Sequence, residues 1–193
     1  MDKKQLIIES AIKVFARDGL DKGKIADIAK EAGIGKGTVY EYFRSKDEIF
    51  QAIEYYMFKD FNLIFDQLRS SSLSPTQKLI SLMENALDMF MEMGDILLIL
   101  MELWAQAGRG HVHGSDHSLF VEYYDDYRKR VESILEDGIK TGELREMNKE
   151  GVATLLLAFM DGLVWQFVML KDSKKFNKVK SEAVESFMRG ILK

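Results

Sequence analysis

The sequence predicts an all-α protein with a short N-terminal three-helix segment and a longer C-terminal helical bundle. Apolar residues recur mainly at helical spacing, and few stretches show the strict alternation expected of strands. The 193 residues contain a single proline, Pro75, so little in the chain interrupts helices. Cysteine is absent, which excludes disulfides and thiolate metal sites and is typical of a reducing compartment.

The first two predicted helices each end at a glycine. Residues 7–19 form an amphipathic pattern that stops at Gly19. The second pattern ends at Gly33, because glycine adopts the left-handed cap conformation at little steric cost. The apolar face of this second helix consists of Ile25, Ile28, Ala29 and Ala32.

The third helix begins with small and basic residues, from Gly35 to Thr38. Val39 and Phe43 lie four positions apart and are predicted to face inward. A short helix with small and basic residues at its exposed N-terminal end can enter the major groove of DNA. The two helices and the turn at Gly33 therefore predict a helix-turn-helix, and Ser45 and Glu48 predict the capping box of a fourth helix.

Four linked patterns occupy residues 7–50: Ala-x-x-x-Phe-x-x-x-Gly, Ile-Ala-x-x-Ala-Gly, Gly-x-x-Tyr-x-x-Phe and Ser-Lys-x-x-Ile. In this order and spacing the chain resembles the TetR family of bacterial transcriptional regulators. The resemblance implies a DNA-binding domain over residues 1–46 and a ligand-binding and dimerisation domain over residues 47–193. The family often carries Thr-Thr before the second helix, where this chain has Gly23 and Lys24.

Positive charge is concentrated in the predicted DNA-binding segment. Residues 1–46 carry a net charge of +3, whereas residues 47–193 carry −7. Only a local basic face is needed to neutralise phosphates, so the acidic remainder does not exclude DNA binding. Surface variation alone would also account for a charge of +3, so the prediction depends on the linked patterns.

The side chains expected to contact DNA come from the resemblance and from donor chemistry. In the family, residues at the positions of Lys36, Gly37, Thr38, Tyr40 and Lys46 commonly touch DNA. A lysine before the second helix can replace a hydroxyl contact with phosphate, and a tyrosine hydroxyl can donate to phosphate. Glu41 either accepts from a cytosine amino group or points away from the DNA. The full predicted set is Lys24, Lys36, Gly37, Thr38, Tyr40, Tyr42 and Lys46.

The remaining chain predicts helices over 46–68, 75–93, 96–107, 118–140, 149–171 and 174–192, with Ser74 as an N-cap. Residues 152–170 are apolar on almost every side, and a helix of this kind needs cover on more than one face. The last helix adds an apolar stripe of Val184, Phe187, Met188, Ile191 and Leu192. TetR-like proteins dimerise through their last two helices, so the sequence predicts a homodimer through a four-helix interface.

Methionine and aromatic residues are frequent in the predicted bundle, and methionine repacks easily around apolar ligands. TetR-like regulators bind effectors inside this bundle, although ordinary core packing would explain the same composition. The predicted effector-binding residues are Phe61, Phe65, Met83, Phe90, Met101, Trp104, Tyr123, Tyr127 and Phe159.

Other activities receive little support. His111, His113 and His117 in the loop 108–116 and at its edge offer metal-binding chemistry, but the loop also has the composition of a solvated turn. No metal or cofactor is predicted. No histidine follows a glutamate by three positions, and no Gly-x-Ser-x-Gly pattern occurs. The charged N-terminus lacks a signal-peptide pattern, and residues 96–101 are too short to span a bilayer.

The predicted function is a cytoplasmic, ligand-responsive transcriptional repressor, released from a palindromic operator by a small lipophilic effector. Its expected partners are double-stranded operator DNA, a second copy of the chain and that effector, with no membrane. The alternative is a helical small-molecule carrier or enzyme that retains the scaffold without binding DNA.

Overall fold

In the computed structural model, which describes residues 2–108, 119–170 and 172–193, every regular element is an α-helix. These residues also contain an isolated antiparallel β-bridge between Leu144 and Leu192. The predicted all-α fold is confirmed. The helices are α1 (Lys3–Asp18), α2 (Ile25–Glu31), α3 (Lys36–Tyr42), α4 (Lys46–Ser70), α5 (Pro75–Glu92), α6 (Asp95–Gly108), α7 (Leu119–Thr141), α8 (Lys149–Leu170) and α9 (Ser173–Arg189).

The helix-turn-helix consists of α2, the turn at Gly33 and α3. Gly33 has a φ of 65°, in the left-handed region where a side chain would be strained, so glycine permits the tight turn. Ile28 of α2 and Val39 of α3 are fully buried, as their helical spacing predicts. The exposed side of α3 is therefore fixed by the burial of its other face.

Gly23 is required by close packing in the loop before α2. A Cβ atom placed on Gly23 would lie 2.5 Å from Cδ1 of Phe15, a distance that real contacts do not reach. Phe15, on α1, is itself a buried residue of the hydrophobic core. A residue larger than glycine would displace this ring, which gives a physical reason for Gly23 at a position where threonine is common in the family.

Two predicted N-caps occur at the expected positions. Ser45 Oγ accepts from the backbone N–H of Glu48 at 3.1 Å, and the Glu48 carboxylate accepts from the N–H of Arg44 at 2.6 Å. Ser74 and Gln77 form a reciprocal capping box before α5, with distances of 3.0 and 3.4 Å. These bonds satisfy backbone donors that the first turn of a helix leaves free.

By internal packing the chain divides into two units, each drawn from two stretches of sequence. The first comprises Met1–Lys59 and Met93–Glu122, and the second comprises Asp60–Glu92 and Tyr123–Lys193. In the first unit α1 packs against α2 and α6; in the second, α5 packs against α8 and α9. The predicted functional domains, 1–46 and 47–193, stay a prediction.

The apolar helix α8 has one buried and one exposed face. Its buried residues are Ala153, Leu156, Leu157, Met160, Leu163 and Val164. On the other face Leu155, Trp165 and Met169 are 58%, 47% and 61% exposed. These three residues recur at helical spacing, together with the small residues Ala158 and Gly162. We call this set the α8 stripe.

Helix α8 is also long enough and apolar enough to cross a membrane. No other helix among the described residues meets both criteria. Core helices meet the same test, and the buried face of α8 packs against other helices of the second unit. Length and composition are thus explained by a helix that is covered on one side within the subunit.

The final helix is shorter than predicted and differently used. α9 ends at Arg189, because the last residues turn to pair with residues 143–145: Arg145 N–H donates to the Ile191 carbonyl at 3.1 Å. Val184, Met188 and Ile191 are buried within the subunit, and Phe187 stacks on Phe159 at 5.4 Å. Phe187 is half-buried and Leu192 is 39% exposed, so the stripe of α9 is only partly covered within its own chain, and its role in a dimer stays a prediction.

Candidate functional site

An open groove in the first unit brings several predicted DNA-contacting residues together. It encloses about 680 Å³ between the loop after α1, the start of α2, α3 and the start of α4. Lys24, Lys36, Tyr40 and Lys46 all line it, as does Lys22, which the sequence analysis did not single out. We call this feature the basic groove. Its residues are Asp21, Lys22, Gly23, Lys24, Ile25, Ala26, Lys36, Tyr40 and Lys46.

The other three predicted DNA contacts lie on α3 or at its end. Gly37 is exposed, and a Cβ atom built on it would meet nothing within 4 Å, so its backbone borders open space. Thr38 is half-buried and Tyr42 is exposed. Glu41 is exposed as well. The surface of α3 thus offers a bare backbone patch beside a hydroxyl and two phenols.

Two lysines of the basic groove differ in how far they are engaged by the protein. Lys36 Nζ lies 5.7 Å from the centroid of the Tyr40 ring, a cation–π distance that leaves its N–H donors available. Lys46 Nζ donates to the carbonyls of Leu20 and Asp21 at 2.7 and 3.0 Å. Lys46 therefore fixes the loop after α1 and keeps one of its three donors for another partner.

A side chain of α6, Glu102, also holds the loop after α1. The two carboxylate oxygens of Glu102 accept from the Leu20 N–H at 3.0 and 3.1 Å. Leu20 thus has its N–H bound by Glu102 and its carbonyl bound by Lys46, and we call this arrangement the Leu20 clamp. Glu102 carried no local signal in the sequence, since its partner lies 82 positions away.

Aromatic side chains of the second unit form a contiguous network. Phe61 lies 5.0 Å from Phe90 and 5.4 Å from Tyr123, between ring centroids. Tyr127 lies 4.8 Å from Phe65 and 5.9 Å from Tyr123. Five of the nine predicted effector residues therefore meet. We call the set the ring network: Phe61, Phe65, Phe90, Tyr123, Tyr127 and Tyr124, which lies 6.3 Å from Tyr123.

A carboxylate of α8 adjoins this network. The Tyr124 hydroxyl donates to Asp161 Oδ1 at 2.9 Å. Burial raises the pKa of Asp161 to about 6, against the lowering effect of the Tyr124 hydrogen bond. Burial, and then the charge of Asp161, raise the pKa of Tyr127 above its ordinary value, so this phenol stays a neutral donor. Asp161 had a sequence signal, as an isolated acid within an apolar run.

The remaining predicted effector residues have different surroundings. Met83 is fully buried, and Phe159 stacks on Phe187. Met101 is half-buried and belongs to the first unit. The side chain of Trp104 lies outside the described residues, as do His111, His113 and His117. Within the described part of the chain, no three His, Cys, Asp or Glu residues are grouped for a metal ion.

These two sets of residues support different chemistry. The basic groove offers ammonium and phenol donors at an open surface, which is the chemistry of phosphate contact. The ring network offers clustered aromatic side chains beside the half-buried carboxylate of Asp161, and such a mixture of aromatic and polar groups is typical of small-molecule sites.

Two family models match parts of this chain. The family model described as bacterial regulatory proteins, tetR family, matches residues 7–53. A second model, described as the C-terminal region of QacR-like proteins, matches residues 113–193. The first match contains all of α2 and α3, and the second contains α7, α8 and α9.

Relatives match over most of the chain at low identity. The uncharacterised HTH-type regulator YhgD of Bacillus subtilis is 26% identical over 167 residues, 86% of this chain and 85% of the relative. The nicotine-responsive repressor HdnoR of Paenarthrobacter nicotinovorans is 24% identical, over 97% of this chain and 95% of its own. The FadR regulator of Bacillus subtilis, solved in complex with stearoyl-CoA, superposes with a TM-score of 0.76 at 20% identity, covering 97% and 98% of the two chains.

Proposed function

Since the chain belongs to the TetR family of bacterial regulatory proteins, we propose that it is a repressor that a small lipophilic effector releases from a palindromic operator. The observation that carries the proposal is the basic groove, where Lys24, Lys36, Tyr40 and Lys46 meet beside the exposed face of α3. Such donors supply the salt-dependent phosphate contacts that hold a recognition helix in the major groove.

The proposed assembly is a homodimer through the α8 stripe. Monomeric proteins rarely leave a contiguous row of large apolar side chains in water, and Leu155, Trp165 and Met169 form such a row. The small residues Ala158 and Gly162 lie within it, and a Cβ atom on Gly162 would meet nothing within 4 Å. A second α8 helix fits this surface, because an isologous contact pairs the same patch on both subunits.

A two-fold dimer requires a near-palindromic operator. Its recognition helices would enter major grooves on one face of the DNA, with half-site centres about 34–36 Å apart or a modest extension of that spacing. Repression follows if the operator overlaps a promoter. DNA as the partner also places the protein in the bacterial cytoplasm.

The proposed effector binds at the ring network. HdnoR is described as nicotine-responsive, and FadR was solved with stearoyl-CoA, and both compounds have apolar bodies. Phe90, Tyr123 and Tyr124 are partly buried, whereas Phe61, Phe65 and Tyr127 are buried.

Release of DNA is a coupling between the two sites. An effector that binds one conformation better shifts the population toward it, and DNA must lower effector affinity by the same factor. One feature of the chain can carry this coupling. Helix α4 runs unbroken from the capping box at Ser45 to Ser70, so it contains Lys46 of the basic groove and Phe61 and Phe65 of the ring network.

The test is binding of the purified protein to DNA from upstream of its own coding sequence, followed by fluorescence anisotropy against salt. A repressor gives saturable binding whose logarithm falls linearly with the logarithm of salt concentration, with preference over scrambled DNA of equal length. Apolar compounds are then screened for release. A carrier or enzyme on the same scaffold would show no salt-dependent binding to the upstream DNA or to the scrambled DNA.

A further inference from the structure

The loop after α1, residues 19–24, carries two lysines of the basic groove. Lys22 and Lys24 are exposed, and both line the groove. The Gly23 N–H donates to the Gly19 carbonyl at 3.0 Å, which closes the loop into a compact turn. A displacement of any part of this turn would therefore move both ammonium groups relative to α3.

The Leu20 clamp holds this turn at a buried residue. Leu20 is 2% exposed, and its N–H is bound by both oxygens of the Glu102 carboxylate, at 3.0 and 3.1 Å. A Cβ atom on Gly19 would lie 3.8 Å from the same two oxygens, so the carboxylate lies close against the loop backbone. A hydrogen bond to an ionised acceptor is stronger than one between neutral groups. Glu102 is thus a strong attachment of the loop to α6.

The loop in turn orients a third lysine of the groove. Lys46 Nζ donates to the carbonyls of Leu20 and Asp21 at 2.7 and 3.0 Å. An ammonium group has three N–H donors in fixed directions, so the two carbonyls determine where the third donor points. The acceptor that α6 supplies therefore affects the two lysines that the loop carries and the lysine that it binds.

We propose that Glu102 is a positioning residue for DNA binding, because it fixes the loop 19–24 and thereby aims three lysines of the basic groove at phosphate. The inference rests on the proposed function, in which these lysines contact DNA. A carboxylate on a DNA-binding protein ordinarily repels phosphate. Glu102 does not line the groove and its repulsion is screened by salt, whereas the lysines contact phosphate directly. Its net effect is therefore to strengthen DNA binding.

The test compares two substitutions that remove the same charge. Glu102→Gln keeps a carbonyl acceptor for the Leu20 N–H, whereas Glu102→Ala removes the acceptor. Affinities for the upstream duplex and for scrambled DNA are measured by anisotropy over a range of salt concentrations. Glu102→Gln should bind within about twofold of the parent, because one acceptor remains. Glu102→Ala should bind roughly tenfold more weakly, with a salt slope lower by about 1, and equally so on both duplexes.

A double-mutant cycle separates positioning from a general loss of stability. In a chain with Lys22→Ala and Lys24→Ala, the further change Glu102→Ala should weaken binding by at most about threefold, since the loop then carries no lysine to orient. Lys36→Ala removes a groove lysine of α3 instead, and Glu102→Ala should keep its roughly tenfold effect there. General destabilisation would weaken binding equally in both backgrounds. Urea unfolding of each variant checks that it is folded in the assay.

Three results would overturn the inference alone: Glu102→Ala binds DNA as tightly as the parent, the Gln and Ala variants have equal affinities, or the effect of Glu102→Ala is the same in both lysine backgrounds. A parent protein without salt-dependent binding to either duplex overturns the proposed function and this inference together. The two failures are thus distinguished by the behaviour of the parent.

Discussion

The two candidate sites hold their charged groups in opposite environments. The basic groove keeps Lys24 and Lys36 exposed in water, where a charge costs the fold little. The ring network holds Asp161 at a site where burial raises its pKa to about 6. The exposed lysines therefore cost the free protein little, whereas the half-buried carboxylate of Asp161 destabilises the free protein once it ionises.

This difference follows from the partners. Duplex DNA presents phosphates at a regular spacing, so a rigid exposed surface with a few donors can match it. A small ligand is usually enclosed by the protein, so the proposed effector site would hold its recognition groups away from bulk water. Changes at the first site should alter binding alone, and changes at the second should alter binding and stability together.

The largest effect is expected from the α8 stripe. Leu155→Glu with Trp165→Glu places two charges in the proposed dimer contact, and the subunits should separate. DNA affinity should then fall on the order of a hundredfold, because two linked half-sites bind much more tightly than one. Light scattering gives the mass and anisotropy gives the affinity. Val121→Glu changes an equally exposed apolar residue elsewhere and should leave both unaltered; a parent that is monomeric at micromolar concentration would contradict the dimer.

The next effect concerns the stability cost of the internal charge. The folded pKa of Asp161, about 6, lies above its ordinary value of 3.8, so the native state binds more protons between these values. Stability should therefore fall as pH rises from about 4 to about 6 and then level off. Asp161→Asn should stabilise the protein by about 2 kcal/mol at pH 7.5 and by nothing measurable near pH 4.

Urea unfolding at the two pH values checks this sign, with Asp66→Asn as the exposed control. A gain from Asp161→Asn that is the same at both pH values would show that packing, and not ionisation, is responsible. A loss of stability at pH 7.5 would contradict the assigned environment of Asp161.

A smaller effect is expected from changes in the basic groove. These changes should alter DNA binding and leave the stability of the fold unchanged. Lys24→Ala with Lys36→Ala removes two phosphate contacts, so the slope of log affinity against log salt should decrease by about 2. Affinity near physiological salt should fall roughly tenfold, while the urea midpoint stays constant. Lys174→Ala with Lys175→Ala removes two exposed lysines from α9 as a charge-matched control. An unchanged slope in the first variant would exclude these lysines from the interface.

The smallest effect is expected at the Leu20 clamp. Glu102→Gln keeps one acceptor for the Leu20 N–H but loses the charge, so the first unit should lose less than about 1 kcal/mol. The urea midpoint of the variant measures the loss, and Glu122→Gln on α7 provides a control with an exposed side chain. Identical midpoints for parent and Glu102→Gln would mean that the carboxylate adds nothing to the fold of this unit.

The helix-turn-helix could be predicted in detail because its signals are local. Gly33, Val39 and the Ser45–Glu48 cap act within a few residues of their own positions, and each has its expected role. The predicted helices 46–68, 75–93, 96–107 and 149–171 also agree with α4, α5, α6 and α8 to within two residues at each end.

Features that depend on distant partners could not be predicted. The end of α9 at Arg189 depends on pairing with residues 143–145, and three residues of the α9 stripe, Val184, Met188 and Ile191, are buried within the chain. Lys46 was expected to contact DNA, which stays a prediction, but its bonds to the loop after α1 were not foreseen. Composition indicated aromatic residues for an effector site, yet only the fold shows that Asp161 adjoins them.

The Leu20 clamp also makes one amide a natural reporter. The Leu20 N–H lies outside any helix and donates to a side chain of α6, so its exchange with solvent deuterium is slow only while Glu102 remains in place. Amides inside α1 exchange through opening of that helix instead. The ratio of the exchange rate of the Leu20 amide to that of the α1 amides would therefore report whether α6 stays attached to the loop. It could be followed in solution, without a label, as DNA or effector is added.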